Sequence, residues 1–101
     1  MERPPIHPGE ILAEELEFLN MSAAGLAREL HVPANRIALI VSSSRGITAD
    51  TALRLGQWFG TEPEFWLNLQ QQYELRVAER EVGQTIRETI VPRQTPAAWP
   101  G

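Results

Sequence analysis

The 101-residue chain has no cysteine and no lysine. The first absence excludes disulfides, thiolate catalysis and Cys-based zinc sites, and makes a reducing cytoplasm the expected compartment. The second leaves nine basic residues that are all arginine, the side chain suited to bidentate contacts with phosphates and base edges. Long hydrophobic runs are also missing. The longest, residues 37–41, has five members, against roughly 20 needed to cross a bilayer. No secretory signal pattern is present, so no membrane partner is expected. Catalytic groupings are equally thin. His7 and Glu10 stand three apart in the chain, but no third ligand motif accompanies them and His31 belongs to another turn; capping or packing accounts for them better than a metal. None of the serines sits in a nucleophile elbow, and no activated partner is at hand. Neither enzyme activity, a metal nor any other cofactor is expected.

What is present describes one small domain, since 43% apolar and 22% charged residues are ordinary globular usage at this length. The net charge of −4 is unevenly spread. Residues 1–21 carry one Arg against five Glu, and residues 61–101 carry four Arg against six Glu. Residues 22–60 reverse the balance, with four Arg against Glu29 and Asp50. A positive middle between acidic flanks suits a protein with one face for DNA and other surfaces kept off the phosphates.

That middle contains the size pattern of a helix-turn-helix at residues 23–42. Leu26 and Leu30 share one face of a first helix, Ala27 is small where a second helix must cross closely, and Val32, Ile37 and Ile40 fill the crossing from the other side. Ser22 is a good N-cap for the first of these helices. His31 stands in the turn, where a left-handed backbone is needed and glycine would be easier. Pro33 falls early in the second helix, where its missing N–H costs nothing.

The flanking elements follow from period and caps. From about residue 8 to 19, Leu12, Leu16 and Leu19 recur at helical spacing with Ile11 beside them, and Glu10, Glu14 and Glu17 form the opposite face. After a loop at residues 42–46, Thr48 caps a fourth helix that buries Ala52, Leu55 and Phe59 and stops at Gly60. Thr61 and Glu64 then form an expected capping box, with Pro63 in the first turn, for a longest helix running from about residue 62 to 82. Its apolar residues wrap more than one face, which calls for a second chain as cover. Trp66, Leu69, Tyr73, Val77, Ile86 and Ile90 are the candidate dimer residues. Asn68 and the run Gln70, Gln71 and Gln72 read as its solvated side, and Trp58, like Trp66, as a core or dimer residue. Residues 89–92 are read as a short strand or arm that pairs in the dimer, with a continued helix as the alternative. The domain plan is an arm at 1–7, a helix-turn-helix domain at 8–82, and a dimerisation segment and disordered tail at 83–101.

Three blocks carry a resemblance: residues 7–12 (HPGEIL), 45–55 (RGITADTALRL) and 65–70 (FWLNLQ). They resemble the signature blocks of HigA-type antitoxins, small XRE/Cro-like (lambda-repressor-like) proteins of type II toxin–antitoxin modules, over about residues 7–78. The resemblance implies an all-α, five-helix domain in a homodimer that represses its own operon. It also implies neutralisation of a HigB toxin, a RelE-like ribonuclease that cleaves mRNA. The chain departs from that pattern at Ala38 and Leu39, where members often have Asn-Glu or Asn-Asp, and at Ser42, Ser43 and Ser44, where they have something like Asn-Gly-Lys.

In helix-turn-helix geometry the groove-facing positions are Pro33, Ala34, Asn35, Ala38, Leu39 and Ser42. Asn35 can pair with adenine, and Ala38 and Leu39 can pack on thymine methyls. Ser22, Arg28, Arg36, Ser43, Ser44 and Arg45 are candidate phosphate contacts. Each has a plainer rival: Arg28 in solvent, Leu39 in the core of a rotated helix. Few polar readers imply modest specificity. An RNA-cutting toxin would be basic, so the acidic first helix with Glu10, Glu14, Glu15 and Glu17 is a candidate surface for it. Two alternatives stay open: a stand-alone regulator without a toxin, and a toxin-binding module that no longer binds DNA.

Overall fold

The computed structural model describes residues 4–94, all of whose regular structure is helical. The first helix, α1 (Pro8–Leu19), starts at a buried cap. His7 Nδ1 accepts from the Gly9 N–H at 2.8 Å, and the His7 N–H donates to Glu10 Oε2 at 3.0 Å. The pair read as capping rather than metal-binding is therefore a reciprocal capping box. Leu12 and Leu16 are buried, whereas Leu19, expected on the same face, is 42% exposed. It is the last residue before Asn20 turns left-handed at φ 54 and the chain leaves the core.

The helix-turn-helix is α2 (Ala23–Leu30) and α3 (Ala34–Val41). Ser22 caps α2 by accepting from the Gly25 N–H at 2.9 Å. His31 takes the left-handed conformation required of it, φ 60, and Val32 N–H closes the turn on Ala27 O at 3.0 Å. Pro33 is the residue before α3. Leu26, Ala27, Leu30, Ile37 and Ile40 are buried together, as their sizes required, with Val32 packed against them. Gly9 lies directly against the end of α3, where a Cβ would run into the Ile40 carbonyl.

The fourth helix, α4 (Ala49–Phe59), is capped by Thr48 and ended by Gly60 at φ 76. The fifth, α5 (Pro63–Ala78), departs from expectation at its start: Glu62 is the cap position and no side chain caps it. The Thr61–Glu64 box does not form because α5 begins at Pro63, which leaves Thr61 one residue ahead of the cap position; its hydroxyl accepts the Trp66 indole N–H at 3.1 Å. A π-helical turn (Glu79–Gly83) continues α5 into α6 (Gln84–Thr89). Gly83 admits the Glu79 side chain where a Cβ would stand, and Glu79 pairs with Arg87 at 2.7 Å. The continued helix thus replaces the strand reading as far as Thr89, and Ile90 is extended. The disordered tail was expected over residues that lie in part outside the described ones. The rod from α5 to α6 gives the chain its length, 54 × 32 × 22 Å.

Candidate nucleic-acid interface

On α3, Ile37 and Ile40 point inward, while Ala34, Asn35, Ala38 and Leu39 are exposed. Leu39, at 38%, is therefore a surface residue and not part of a rotated core. Pro33, Ser42, Ser43, Ser44 and Arg45 continue the exposed strip, and Ser22 and Arg28 are exposed on α2. The serine loop is folded back onto α3. Ser44 and Arg45 N–H groups both reach the Leu39 carbonyl, at 2.8 and 3.1 Å, and the Ser42 hydroxyl lies 3.1 Å from the same oxygen and 3.0 Å from Ser44 Oγ. Ser43 sits at φ 63.

Arg36 is held in an ion-pair network. Its Nη1 donates to Asp50 Oδ2 at 2.7 Å, and the same oxygen accepts from Arg54 Nε at 3.0 Å. The Arg54 Nη1 reaches on to the Leu30 carbonyl at 2.8 Å, which ties α4 to the turn of the motif. The two guanidinium groups, Arg54 foremost, hold the Asp50 carboxyl below its usual range. Arg36, Arg45, Gly46, Thr48, Asp50, Thr51 and Arg54 line a cavity of about 290 Å³.

Two buried polar residues from outside the motif hold the loop after α3. Gln70 on α5, 8% exposed, accepts the Ile47 N–H at 2.8 Å and donates to Glu74 at 2.9 Å. A Cβ at Gly46 would meet its amide at 2.8 Å. The reading of residues 70–72 as solvated fails for Gln70, and holds for Gln71 and Gln72. Gly46 was the available signal, because a close approach needs a glycine on one side. His7 touches the Arg45 backbone and stands edge-on to Tyr73, ring centroids 4.8 Å apart. Burial pushes the His7 pKa below its ordinary value, against the opposing pull of Glu10 and of the Arg45 backbone. The neutral ring also suits Nδ1, which must accept from Gly9.

The remaining candidates separate. Trp66 is 2% exposed, a core residue of the single chain, and so leaves the dimer set. Leu69, Tyr73 and Val77 are half-buried, with Leu69 packed on the core, while Ile86 and Ile90 are 46% and 63% exposed. Trp58 is half-buried and donates to Glu29 at 3.3 Å. Glu10, Glu14, Glu15 and Glu17 are exposed on α1, beside a feature the pattern of helix faces did not flag: Phe18, 85% exposed.

A buried crossing of α2 with α3, an outward strip on α3 and arginines beside it define an XRE/Cro-like helix-turn-helix protein. No family model matches the chain. It is 54% identical to an addiction module antidote protein of the HigA family from Coxiella burnetii, with a TM-score of 0.88 over 90% of this chain and 100% of that one. It is 48% identical to Pseudomonas aeruginosa antitoxin HigA, solved with the higBA promoter, with a TM-score of 0.85 over 87% and 97% of the two chains. Virulence-associated protein I of Dichelobacter nodosus is 52% identical over 95% of this chain and 88% of its own length. The chain belongs to the HigA family of antitoxins. Like the antidote and antitoxin proteins it matches, it is not an enzyme.

Proposed function

We propose that this protein is a homodimeric, DNA-binding antitoxin that acts in the cytoplasm, represses its own operon and neutralises a HigB-type toxin. The exposed strip from Pro33 to Arg45, set on a buried helix crossing, carries the DNA part of the reading. The solved complex of a 48%-identical antitoxin with its promoter supports it. Asn35, Ala38 and Leu39 are the base-facing residues, with each good bidentate contact worth about 1–3 kcal/mol. Ser22, Arg28, Arg36, Ser43, Ser44 and Arg45 face the phosphates. Residues 8–82 form the DNA-binding unit, and residues 83–101 the dimerisation segment. Val82, Ile86 and Ile90 are exposed on the end of the rod, and a second copy covers them. Two-fold pairing then places recognition helices about 34–36 Å apart, or a multiple of that, on a palindromic operator.

The toxin faces α1. An RNA-cutting enzyme must be basic where it meets RNA or the ribosome, and α1 carries four glutamates and no basic residue. Phe18, bracketed by Glu14 and Glu15 one turn back, supplies an aromatic anchor inside that acidic rim.

The experiment is fluorescence-anisotropy binding to the DNA upstream of the reading frame and to a scrambled duplex, at two salt concentrations, with Arg45→Ala and Arg36→Ala beside the parent. Preference for the upstream DNA that weakens with salt and in both variants supports the reading. If the parent binds neither duplex, the helix-turn-helix serves protein contacts alone.

A further inference from the structure

The chain places a carboxylate among the arginines of its DNA face. Arg36 leaves α3 on the strip read as phosphate-facing, yet its guanidinium is already engaged: it donates to Asp50 at 2.7 Å. Asp50 shares the same oxygen with Arg54 at 3.0 Å. Its side chain is 56% exposed and Arg36's is 30% exposed, so the pair sits at the surface, where a duplex can reach it. Arg45 and Thr48 line the same cavity of about 290 Å³. The two arginines are not equivalent. Arg54 has a second anchor, the Leu30 carbonyl at 2.8 Å, and a weaker one at His31. For Arg36 the carboxylate is the only side-chain hydrogen-bond partner recorded among the described residues.

We infer that Asp50 is a built-in restraint on DNA affinity: its carboxylate occupies, on Arg36, the place a DNA phosphate takes, and must be exchanged for that phosphate on binding. This inference rests on the DNA-binding reading above and specifies how that face is regulated. A carboxylate and a phosphate each offer a guanidinium anionic, acceptor-only oxygens, so Arg36 can hold one or the other. After the exchange Asp50 remains against Arg54, and its negative charge stays close to the DNA backbone. Both effects penalise every duplex alike, because phosphates carry no sequence. Weak phosphate binding leaves selection to Asn35 and its apolar neighbours, a useful balance for a recognition helix with so few polar readers. Asp50 is thus a positioning residue that lowers the affinity for every duplex and leaves the ratio of specific to non-specific binding to the base-facing residues.

The test uses the full chain, with the upstream duplex and a scrambled duplex of equal length, over a salt series. The variants are Asp50→Asn, Asp50→Glu, Arg36→Ala and the double variant D50N/R36A. Thermal melts of each establish that it is folded. Asp50→Asn is expected to bind the scrambled and the upstream duplex several-fold more tightly than the parent, by a similar factor, and to steepen the log–log salt slope by about one unit, because no carboxylate is left to take up a counterion when Arg36 turns to the phosphate. Asp50→Glu, which keeps the charge, should behave as the parent. In the R36A background the gain should shrink to the part that the carboxylate's repulsion of the backbone alone supplies. The inference is overturned if Asp50→Asn leaves both affinities and the slope unchanged. It is equally overturned if binding weakens on both duplexes, which marks Asp50 as a structural anchor, or if the gain persists in full without Arg36, which marks a charge effect alone and no exchange on Arg36. A parent that binds neither duplex overturns the DNA reading itself, an outcome distinct from these.

Discussion

Replacing Gln70 by Leu removes a buried hydrogen bond while keeping much of the side-chain volume. The Ile47 N–H, now paired at 2.8 Å, would be left without an acceptor on a residue that is only 4% exposed. An unsatisfied buried donor costs about 1–3 kcal/mol, and the lost Gln70–Glu74 pair adds roughly 0.2–0.5 kcal/mol. A total near 2 kcal/mol lowers Tm by about 8–16 °C in a domain of this size. Thermal melting by circular dichroism measures that fall. Amide exchange of Ile47 locates it, since this one N–H should lose protection beyond the global change. DNA affinity should fall as well, because Arg45 and the serine loop lie next to the freed residue. Glu74→Ala is the control: it leaves the Ile47 bond intact and should cost only a few tenths of a kcal/mol, roughly one exposed helix pair. A Q70L protein that melts with the parent and keeps Ile47 protected would refute the argument that Gln70 holds this loop.

Gly9→Ala should lower Tm although alanine is the better helix former by about 1 kcal/mol, because the new methyl meets the Ile40 carbonyl and overpacking costs about 1–3 kcal/mol; an unchanged or raised Tm contradicts the close approach of α1 to α3. The depressed pKa of His7 makes its share of stability complete above about pH 6.5 and lost as pH falls through the folded-state value, since the unfolded chain takes up the proton first. Melts of the parent and of His7→Asn between pH 7.5 and 5 should show the steeper loss in the parent. Ile86→Glu together with Ile90→Glu should convert a dimer to a monomer by light scattering without lowering the monomer's helix content; an unchanged mass places the dimer contact elsewhere. Reversing Glu14 and Glu17 to Lys, or changing Phe18 to Ala, should weaken toxin capture in a pull-down while DNA binding survives.

Much of the architecture was legible in the chain because its signals are short-ranged. Apolar residues at three- and four-residue spacing placed α1 to α4, and Ser22, Thr48 and Gly60 marked ends that a cap decides within one turn. His31 takes the left-handed turn that its place required, while Pro33 stands just before α3 rather than inside it. The sizes of Leu26, Ala27, Ile37 and Ile40 alone required a close crossing of two helices. What the chain did not disclose depends on which element lands on which side chain. Gln70 looks solvated in a polar run until the loop at Gly46 closes over it, and Trp66 reads equally as core or interface until the fold buries it within its own chain. Thr61 had the spacing of a capping box, but the helix starts one residue later than that spacing requires and the Thr61 hydroxyl meets an indole N–H five residues on instead. Arg36 was legible as a cation on the recognition helix; that Asp50 and Arg54 meet it was not, since the Arg36–Asp50 pair spans a loop and two helices. Caps and periodicity are decided by neighbours along the chain, and so the sequence determined them. The partners of buried polar groups and of surface charges are decided by neighbours in space, and only the tertiary structure brings those together.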